Sequence, residues 1–505
     1  MIPQGVAGAS HSGLQRRREV GLVAGLMLLS ASAGAGEWTF TPRTASTVTL
    51  TDNVLLSARN PQPDLVTQFT PGFLLRGDGA RLNASANVAL TRLIYLENSR
   101  FDRNLPQMDL LGRAILLPQW LEAEAAFNRG VQMFAPAGAP MQTSLANVTG
   151  NVAEVSSFRA GPTLRRRFAD LGELLLTYRY SVTEAQPGEP LPGTAPVGVG
   201  LSVTDNLWDG RFTTGDFLPQ LPLVFSHQLR ESTFVDGGTD RLRTTSVQGS
   251  YPLTRQLRLN GTYGVDQNQF RNQGFGAIDG PFWQTGATWT PNQRLNLTFG
   301  YGRRFFGDNY SLDFSWTRRR FAFRAGYTEF ASTFSSRQED VRFVPTTDPF
   351  GNPIIDPLAG ASPLVIFNRA GLIQDVAIQR RLMVDLRFEH RLDTVLVSVS
   401  SDQMEAITRN RQTNQAMRLA NVIWRRQLSP QASVGVSTLY MNSELLGLGR
   451  EPNTMVSLGP DFSYQFSARL AANVNYRYTD SSGGGLGLLQ FTENRLVGVL
   501  NYSFF

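Results

Sequence analysis

The amino-acid sequence predicts an all-β fold, a transmembrane antiparallel β-barrel of the outer-membrane type with about 16–22 strands after a cleaved signal peptide. Three observations lead to this prediction. The chain begins with an export signal, and the remainder alternates apolar and polar residues with a period of two. Short polar turns also alternate with long loops rich in Gly, Asn, Asp and Pro, which is the asymmetry typical of outer-membrane barrels.

The first 35 residues have the three parts of a secretory signal peptide. Three arginines, Arg16 to Arg18, precede an apolar run from Val20 to Leu29, and the small residues ASAGA then offer a cleavage site after Ala33 or Ala35. The apolar run is only half of the roughly 20 residues that a membrane-spanning helix needs. We therefore interpret residues 1–35 as a signal peptide and residues 36–505 as a single outer-membrane barrel.

Composition narrows the class of protein further. The chain has no cysteine and 41% hydrophobic residues, so a long exported protein without disulfides or a helical anchor fits the outer membrane of a Gram-negative cell. All 47 basic residues are arginine, and the net charge of +6 is too small to predict a nucleic-acid partner.

The strand pattern is regular from the start of the mature chain to its end. In RLNASANVALTRL the apolar residues from Leu82 to Leu90 fall on every second position. The chain ends in LVGVLNYSFF, where every second residue back from Phe504 is apolar or small, so this segment is predicted to be the closing strand. Its aromatic end, Phe504 and Phe505, resembles the C-terminal signal read by the barrel assembly machinery, although Phe505 lies one step beyond the alternating frame.

Aromatic residues recur at a spacing that predicts hairpins between two membrane interfaces. Four segments share an aromatic residue, a leucine six positions later and a tyrosine twelve positions later. Amphipathic rings are stable at the headgroup level of a bilayer. The predicted interfacial aromatics are Phe168, Tyr180, Tyr251, Tyr263, Trp289, Tyr301, Tyr464 and Tyr476.

Charged residues inside strands are predicted to face the lumen, because arginine on the lipid face costs roughly 2–4 kcal/mol at mid-bilayer. Glu122 and Glu124 alternate with apolar neighbours and should point inward. In the hairpin around residues 310–329, the apolar alternation requires an odd index sum for opposed residues, and a sum of 637 places Asp313 opposite Arg324 in the lumen. Such mixed charges can be struts or a selectivity filter, with struts the simpler interpretation.

The segment 332–372 is the longest interruption of the strand pattern. It contains TTDPFGNPIIDPLAGASP, and this proline and glycine content disfavours a regular strand ladder. Irregular backbone is tolerated at membrane depth only inside a lumen. We expect a surface loop or a constriction of the lumen.

Catalytic and metal-binding chemistry is poorly supported by the residues. Ser226 and His227 are adjacent and so point to opposite faces of a strand, and His390 has no nucleophile beside it. The acidic residues Glu339, Asp340 and Asp348 could hold calcium in a loop but lack a regular ligand spacing. We expect no enzyme activity, no cofactor and no metal.

Two stretches resemble a family of outer-membrane proteins associated with the PEP-CTERM/exosortase system. Near the mature start, TDN (Thr51 to Asn53) is followed by TPG (Thr70 to Gly72) and a Gly-Arg turn. The segment 301–329 resembles the same family's RxFG strand and arginine-rich hairpin, and 373–400 fits more loosely. The resemblance would cover nearly the whole mature chain.

The resemblance implies a role in exopolysaccharide machinery. The expected function is a conduit or assembly component for surface polysaccharide. The alternatives are a structural scaffold that does not conduct and a general solute porin. The expected partners are outer-membrane lipids, the barrel assembly machinery and polysaccharide export proteins.

Overall fold

The computed structural model describes residues 36–133, 144–148, 152–187, 200–271, 278–339, 365–366, 375–407, 414–446, 451–483 and 490–504. The predicted signal peptide lies outside the described residues, as do Asp340, Asp348 and Phe505. Within the described ranges, no helix is long and apolar enough to span a membrane.

Strands dominate the described chain, because alternating side chains with frequent β-branched and aromatic residues favour the extended backbone. In chain order they are β1 (Glu37–Thr51), β2 (Asp64–Asp78), β3 (Leu82–Tyr95), β4 (Arg103–Leu117), β5 (Leu121–Met133), β6 (Val152–Phe168), β7 (Gly172–Pro187), β8 (Leu201–Thr214), β9 (Leu223–Phe234), β10 (Thr239–Pro252), β11 (Leu257–Gln269), β12 (Gly280–Asn292), β13 (Leu295–Arg304), β14 (Gly307–Arg318), β15 (Phe321–Ser332), β16 (Val365–Ile366), β17 (Ala377–His390), β18 (Asp393–Ala406), β19 (Gln415–Gln427), β20 (Ala432–Leu445), β21 (Asn453–Gln465), β22 (Leu470–Ser482) and β23 (Phe491–Ser503). One short helix, α1 (Phe334–Glu339), follows β15, and a 3-10 turn spans Ser99–Phe101.

The long strands form a closed antiparallel barrel. Each pairs with the next along the chain, β15 pairs directly with β17, and β1 pairs with β23 to close the sheet. Of the 23 strands in the described ranges, only the two-residue β16 stands apart, since it pairs in parallel with Val131 and Gln132 of β5. The remaining 22 strands confirm the predicted fold class, at the upper end of the expected strand number.

The two rims of the barrel differ in the length of their connections. At one rim the strands are joined by turns as short as the two residues Arg319 and Arg320, and the start of β1 and the end of β23 lie there too. At the other rim lie the long connections, including 134–151 and 333–376. Because short turns face the periplasm in outer-membrane barrels, we call these the periplasmic rim and the outer rim.

The two faces of each strand follow the sequence alternation. In β22, Val474, Tyr476 and Tyr478 are exposed on the outer surface, whereas the residues between them are buried against the lumen. In β23 the even-numbered Leu496, Leu500, Tyr502 and Phe504 are exposed, and Val497 and Val499 are buried. The predicted closing strand is therefore confirmed, with its apolar frame on Phe504.

The register of the β14–β15 hairpin differs from the prediction by two residues. Leu312 lies opposite Tyr327 and Trp316 opposite Phe323, so the index sum is 639. The sum is odd as predicted, and the apolar residues share the outer face. The value 637 is wrong because the two-residue turn consists of Arg319 and Arg320 and not of Arg318 and Arg319, so pairing continues to Arg318 and Phe321.

This register changes the expected lumen pair. Asp313 lies opposite Gly326, and Arg324 lies between Ser315 of β14 and Asp385 of β17. The rings that the expected register paired directly still touch diagonally, with centroids 5.0 Å apart for Trp316 and Phe321 and 5.5 Å apart for Phe314 and Phe323.

The observed register predicts the outcome of a cross-linking experiment. Cysteines placed at Asp313 and Gly326 should be joined rapidly by a short thiol-reactive linker, because directly opposed side chains lie about 4.5–5.5 Å apart. The pair at Asp313 and Arg324 is the control and should react more slowly, since diagonal neighbours lie about 7–8 Å apart. Faster reaction of the control pair, measured by gel mobility after protease digestion, would restore the register of 637.

Candidate functional site

Segments of the protein's own loops pack inside the outer end of the barrel. The segment 144–148, from the β5–β6 connection, folds against the inner wall, and all five of its residues are buried, with Ala146 and Asn147 at 0% exposure. We call this segment the inner strap. It contacts residues of β23, the β1–β2 loop, β2, β3 and β4, and it therefore lies across the seam where the barrel closes.

A buried ion pair on β23 holds the inner strap. Glu493 and Arg495 are both inaccessible to solvent, and the Arg495 Nη1 and Glu493 Oε2 atoms lie 3.3 Å apart. Asn147 joins both residues, since its Nδ2 donates to Glu493 Oε1 at 2.8 Å and its Oδ1 accepts from Arg495 Nη1 at 3.3 Å. Thr51 Oγ1 donates a further hydrogen bond to Glu493 Oε1 at 2.8 Å. Glu493 and Arg495, which lie two residues apart on the inner face of β23, thus bind the inner strap across the seam between β1 and β23.

The strap is also held through its backbone and its apolar side chains. Arg103 Nη2 of β4 donates to the carbonyl oxygens of Leu145, at 2.9 Å, and of Asn147, at 3.3 Å. The Val148 amide donates to the Val54 carbonyl at 2.9 Å. Its apolar residues pack in one cluster with residues of the inner wall; the members are Val54, Val66, Leu93, Tyr95, Leu145, Ala146 and Val148. Because charged hydrogen bonds and apolar burial both act on five residues, the strap is firmly seated.

The β1–β2 loop fills the neighbouring part of the lumen. Leu56 is 1% exposed and packs against inward side chains of β19 to β23, which are Met417, Leu439, Met441, Met455 and Phe491. Asn53 fastens this loop, because its Nδ2 donates to the Thr492 carbonyl and to the Ser57 carbonyl, both at 2.9 Å.

Helix α1 fills the lumen from the other side. Phe334 is 1% exposed and packs on inward residues of β6 to β9, namely Ala153, Val155, Ala185, Leu201, Val203 and Phe234. Arg337 donates to the Ser332 carbonyl and to the Asp375 carbonyl, both at 2.9 Å. Burial lowers the pKa of the Arg337 guanidinium to about 10, so it stays charged at neutral pH.

Helix α1 belongs to the segment 332–372, which we predicted to be a surface loop or a constriction of the lumen. The residues from Ser332 to Gln338 are largely buried inside the outer end of the barrel, and β16 pairs with β5 on the far wall. The rest of the segment lies outside the described residues.

The acidic residues predicted to face the lumen lie on inward positions of β5. Glu124 contacts two arginines, Arg113 Nη2 at 3.1 Å and Arg159 Nη2 at 3.6 Å. Glu122 lies opposite Ile115 and Thr163. Glu124 thus acts as a strut between β4 and β6, whereas Asp313 and Arg324 do not meet.

The eight predicted interfacial aromatics all lie on outward positions of their strands. Six of them expose between 37% and 59% of their surface, and Tyr301 and Tyr464 are half-buried. Tyr301 contacts the rings of Trp283 and Tyr310 at centroid distances of 5.7 and 5.2 Å, so the outer face carries rows of packed rings.

Neither histidine examined for catalysis sits in a catalytic arrangement. His227 Nδ1 lies 2.8 Å from Thr245 Oγ1, whereas Ser226 Oγ lies 2.7 Å from Ser246 Oγ on the opposite face. His390 stacks on Phe388 with ring centroids 6.4 Å apart. No group of three or more His, Cys, Asp or Glu residues that could hold a metal occurs among the residues the structure describes.

The residues that hold the inner strap were not predicted from the sequence. Glu493 and Arg495 alternate with Asn494 and Leu496 in the closing strand, so two charges on the inner face of that strand were a visible signal. Nothing in the sequence pattern pointed to the inner strap as their partner.

Solved structures that resemble this chain include siderophore receptors and an iron transporter. The FrpB iron transporter from Neisseria meningitidis matches with a TM-score of 0.52 and 10% identity, over 92% of this chain and 82% of that one. The siderophore receptor PirA from Acinetobacter baumannii (TM-score 0.50, 9% identity) and a mutant of the ferric enterobactin receptor PfeA from Pseudomonas aeruginosa (0.50, 12%) each match over 92% of this chain and 80% of their own. No protein-family model and no curated protein matches the chain.

This finding overturns the expected role in polysaccharide export. The structural neighbours bear names of siderophore receptors and an iron transporter, and these names contradict a component of exopolysaccharide machinery. The motifs that suggested that role, such as TDN and TPG, are short; TDN begins at the last residue of β1 and TPG lies within β2. The resemblance to the PEP-CTERM/exosortase-associated family itself stays a prediction. At these identities, what the neighbours share with this chain is the barrel fold.

The buried ion pair predicts a large effect of one substitution. Glu493→Gln should lower the free energy of unfolding by about 3–5 kcal/mol, because Arg495 would remain charged and buried without its carboxylate. Glu389→Gln is the matched control, since Glu389 pairs with Arg387 at an exposed site where such pairs contribute about 0–1 kcal/mol. Urea unfolding in detergent micelles, followed by tryptophan fluorescence, measures both. Equal losses in the two variants would contradict the assigned role of Glu493.

Proposed function

We propose that this protein is an outer-membrane transport receptor that takes up a small iron chelate of the siderophore class. The observation that carries the proposal is the burial of three segments, the inner strap, the β1–β2 loop and α1, inside the outer end of the barrel. Segments seated there narrow the entrance, and a ligand that needs their place must first displace them. The likeness to FrpB, PirA and PfeA supports the choice of ligand class.

The inner wall offers suitable chemistry for an oxygen-rich, anionic chelate. Arg76, Arg211 and Arg324 lie on inward positions and are exposed. A guanidinium donates planar paired hydrogen bonds to carboxylate or catecholate oxygens, and it stays charged at any physiological pH. All three lie two or three residues from the periplasmic ends of their strands, so an anion would meet them where it leaves the lumen.

The proposal assigns binding and transport to the chain, and no catalytic step. It places the protein in the outer membrane of a Gram-negative cell, delivered by the predicted signal peptide and inserted by the barrel assembly machinery. Phe504 is available to that machinery, because its side chain is 45% exposed while its amide is bonded to the Pro42 carbonyl at 3.0 Å.

A binding measurement tests the proposal directly. Ferric enterobactin added to the full-length protein in detergent should quench tryptophan fluorescence saturably, with a Kd in the micromolar range or tighter. Iron-free enterobactin and ferric citrate are the comparison ligands and show whether the whole chelate is recognised. Absence of saturable binding for ferric siderophores of the catecholate and hydroxamate classes would overturn the proposed function.

A variant then tests the gating step. Asn147→Leu removes both side-chain contacts between the inner strap and the Glu493–Arg495 pair and leaves a residue of similar volume. It should raise the leak of the small solute arabinose into proteoliposomes severalfold, because the strap is then held by fewer bonds. The control Asn128→Leu changes an inward asparagine of β5 outside the strap. Equal leak in wild type and Asn147→Leu would show that the strap does not obstruct the lumen.

A further inference from the structure

The periplasmic rim carries an unbalanced set of positive charges on one side of the barrel. Seven exposed arginines lie in the turns, or on outward positions beside them, from the β10–β11 turn to the end of β19: Arg255, Arg294, Arg318, Arg319, Arg320, Arg391 and Arg426. We call this set the basic arc. Asp393 is the one carboxylate on the same turns and outward positions, all of which are described, and it lies 3.7 Å from Arg426.

The arc differs from the rest of the same rim. In the described turns of the rest of the rim and on the outward positions beside them, Arg81, Arg166 and Arg469 are set against Asp170 and Asp216, which leaves an excess of one positive charge compared with six in the arc, and Arg166 stacks on Trp120 at 3.5 Å. The positive charge is therefore a property of one sector of the rim and does not follow merely from the arginine-rich composition.

At the outer rim the arginines are mixed: four outward arginines have carboxylate partners, and Arg243, Arg303 and Arg418 have no ion pair among the described residues. Arg92 lies 3.3 Å from Asp102, and Arg380 lies 3.0 Å from Glu405. Arg129 pairs with Glu154, and Arg241 Nε donates to Glu231 Oε1 at 2.6 Å. Within the parts of the chain that the structure describes, the six arc arginines other than Arg426 have no ion pair. Their charge is left available to a partner outside the chain.

The surface next to the arc fits a membrane. Directly above the arc, the outer face exposes the aromatic residues Tyr251, Trp289, Trp316 and Phe388. Rings of this kind mark the depth of the lipid headgroups, so arginines two to five residues further along the chain reach the phosphate level. Guanidinium groups bind phosphate oxygens through paired hydrogen bonds.

We propose that the basic arc binds the phosphates of anionic phospholipids in the periplasmic leaflet and fixes the tilt and depth of this side of the barrel. Clusters of basic residues beside a membrane attract anionic lipids, and the attraction is screened within a Debye length. The proposal does not depend on the transported ligand, because the arc lies outside the lumen.

Lipid selectivity measured by electron spin resonance tests this proposal. The full-length protein is reconstituted in phosphatidylcholine bilayers containing spin-labelled phosphatidylglycerol or phosphatidylcholine. The relative association constant of phosphatidylglycerol should exceed one for the wild type, and it should fall towards about one in the variant Arg318→Gln, Arg319→Gln, Arg320→Gln. Raised salt should also lower the preference of the wild type for phosphatidylglycerol, because salt screens the charges of the arc. This second measurement tests the proposal even if the variant fails to fold.

A matched control separates the arc from charge in general. The variant Arg92→Gln, Arg241→Gln, Arg380→Gln removes the same charge from outward arginines that already have carboxylate partners, and it should keep the wild-type preference. Heat-modifiable gel mobility checks that both variants fold. Equal selectivity for the two lipids in the wild type would overturn the proposal and leave an acidic periplasmic protein as the partner that the arc fits. An equal loss in both triple variants would also overturn it.

Discussion

The hydrogen bonding of the backbone in lipid is the constraint on which the rest of this structure depends. Hydrocarbon offers no partner for an amide or a carbonyl, so a sheet crosses a membrane only when its first and last strands meet. Here β1 and β23 pair from Arg43 with Ser503 to Thr51 with Arg495. This seam brings the two ends of the described chain to one rim, and it places Thr51 beside Glu493 and Arg495. The residues that hold the inner strap therefore lie at the same contact between β1 and β23 that closes the barrel.

Closure of the sheet in a membrane reverses the distribution of polarity found in water-soluble proteins, because apolar side chains face outward and polar side chains face the lumen. The outer face carries Leu496, Leu500 and Tyr502, whereas the inner face of the same strand buries Glu493 and Arg495. Buried charges are costly unless they are paired and hydrogen-bonded, and the inner wall meets this condition at sites such as the buried Asp402, which accepts hydrogen bonds from Gln379 and Arg381. A wide barrel cannot be filled by wall residues alone. The loops of the outer rim supply the missing volume, and their apolar residues form small separate clusters in place of a single core.

The two rims differ in how their outward arginines are balanced, and this difference gives the molecule a direction. At the outer rim, four outward arginines are bound to carboxylates, and the described segments of the loops turn inward. At the periplasmic rim, the turns are short and seven arginines of the basic arc point outward or into the aqueous phase beside exposed aromatic rings. A transport receptor needs one end that selects its ligand and one that holds the barrel in the membrane. The proposed function and the proposed lipid contact assign these tasks to different rims.

The sequence by itself determined the class of fold, the closing strand and the face on which each strand residue lies, because alternation with a period of two is a local property of the chain. It also determined that the β14–β15 register is odd, since parity follows from which residues are apolar. The value of the register required the structure, because a shift by two residues preserves every face, and both sums allow a two-residue turn, so only the position of the turn decides between 637 and 639. The inner strap, the packing of Phe334 on β6 to β9 and the partners of Glu493 were decided by tertiary structure alone. These contacts join residues up to several hundred positions apart, and only the closed barrel brings them together.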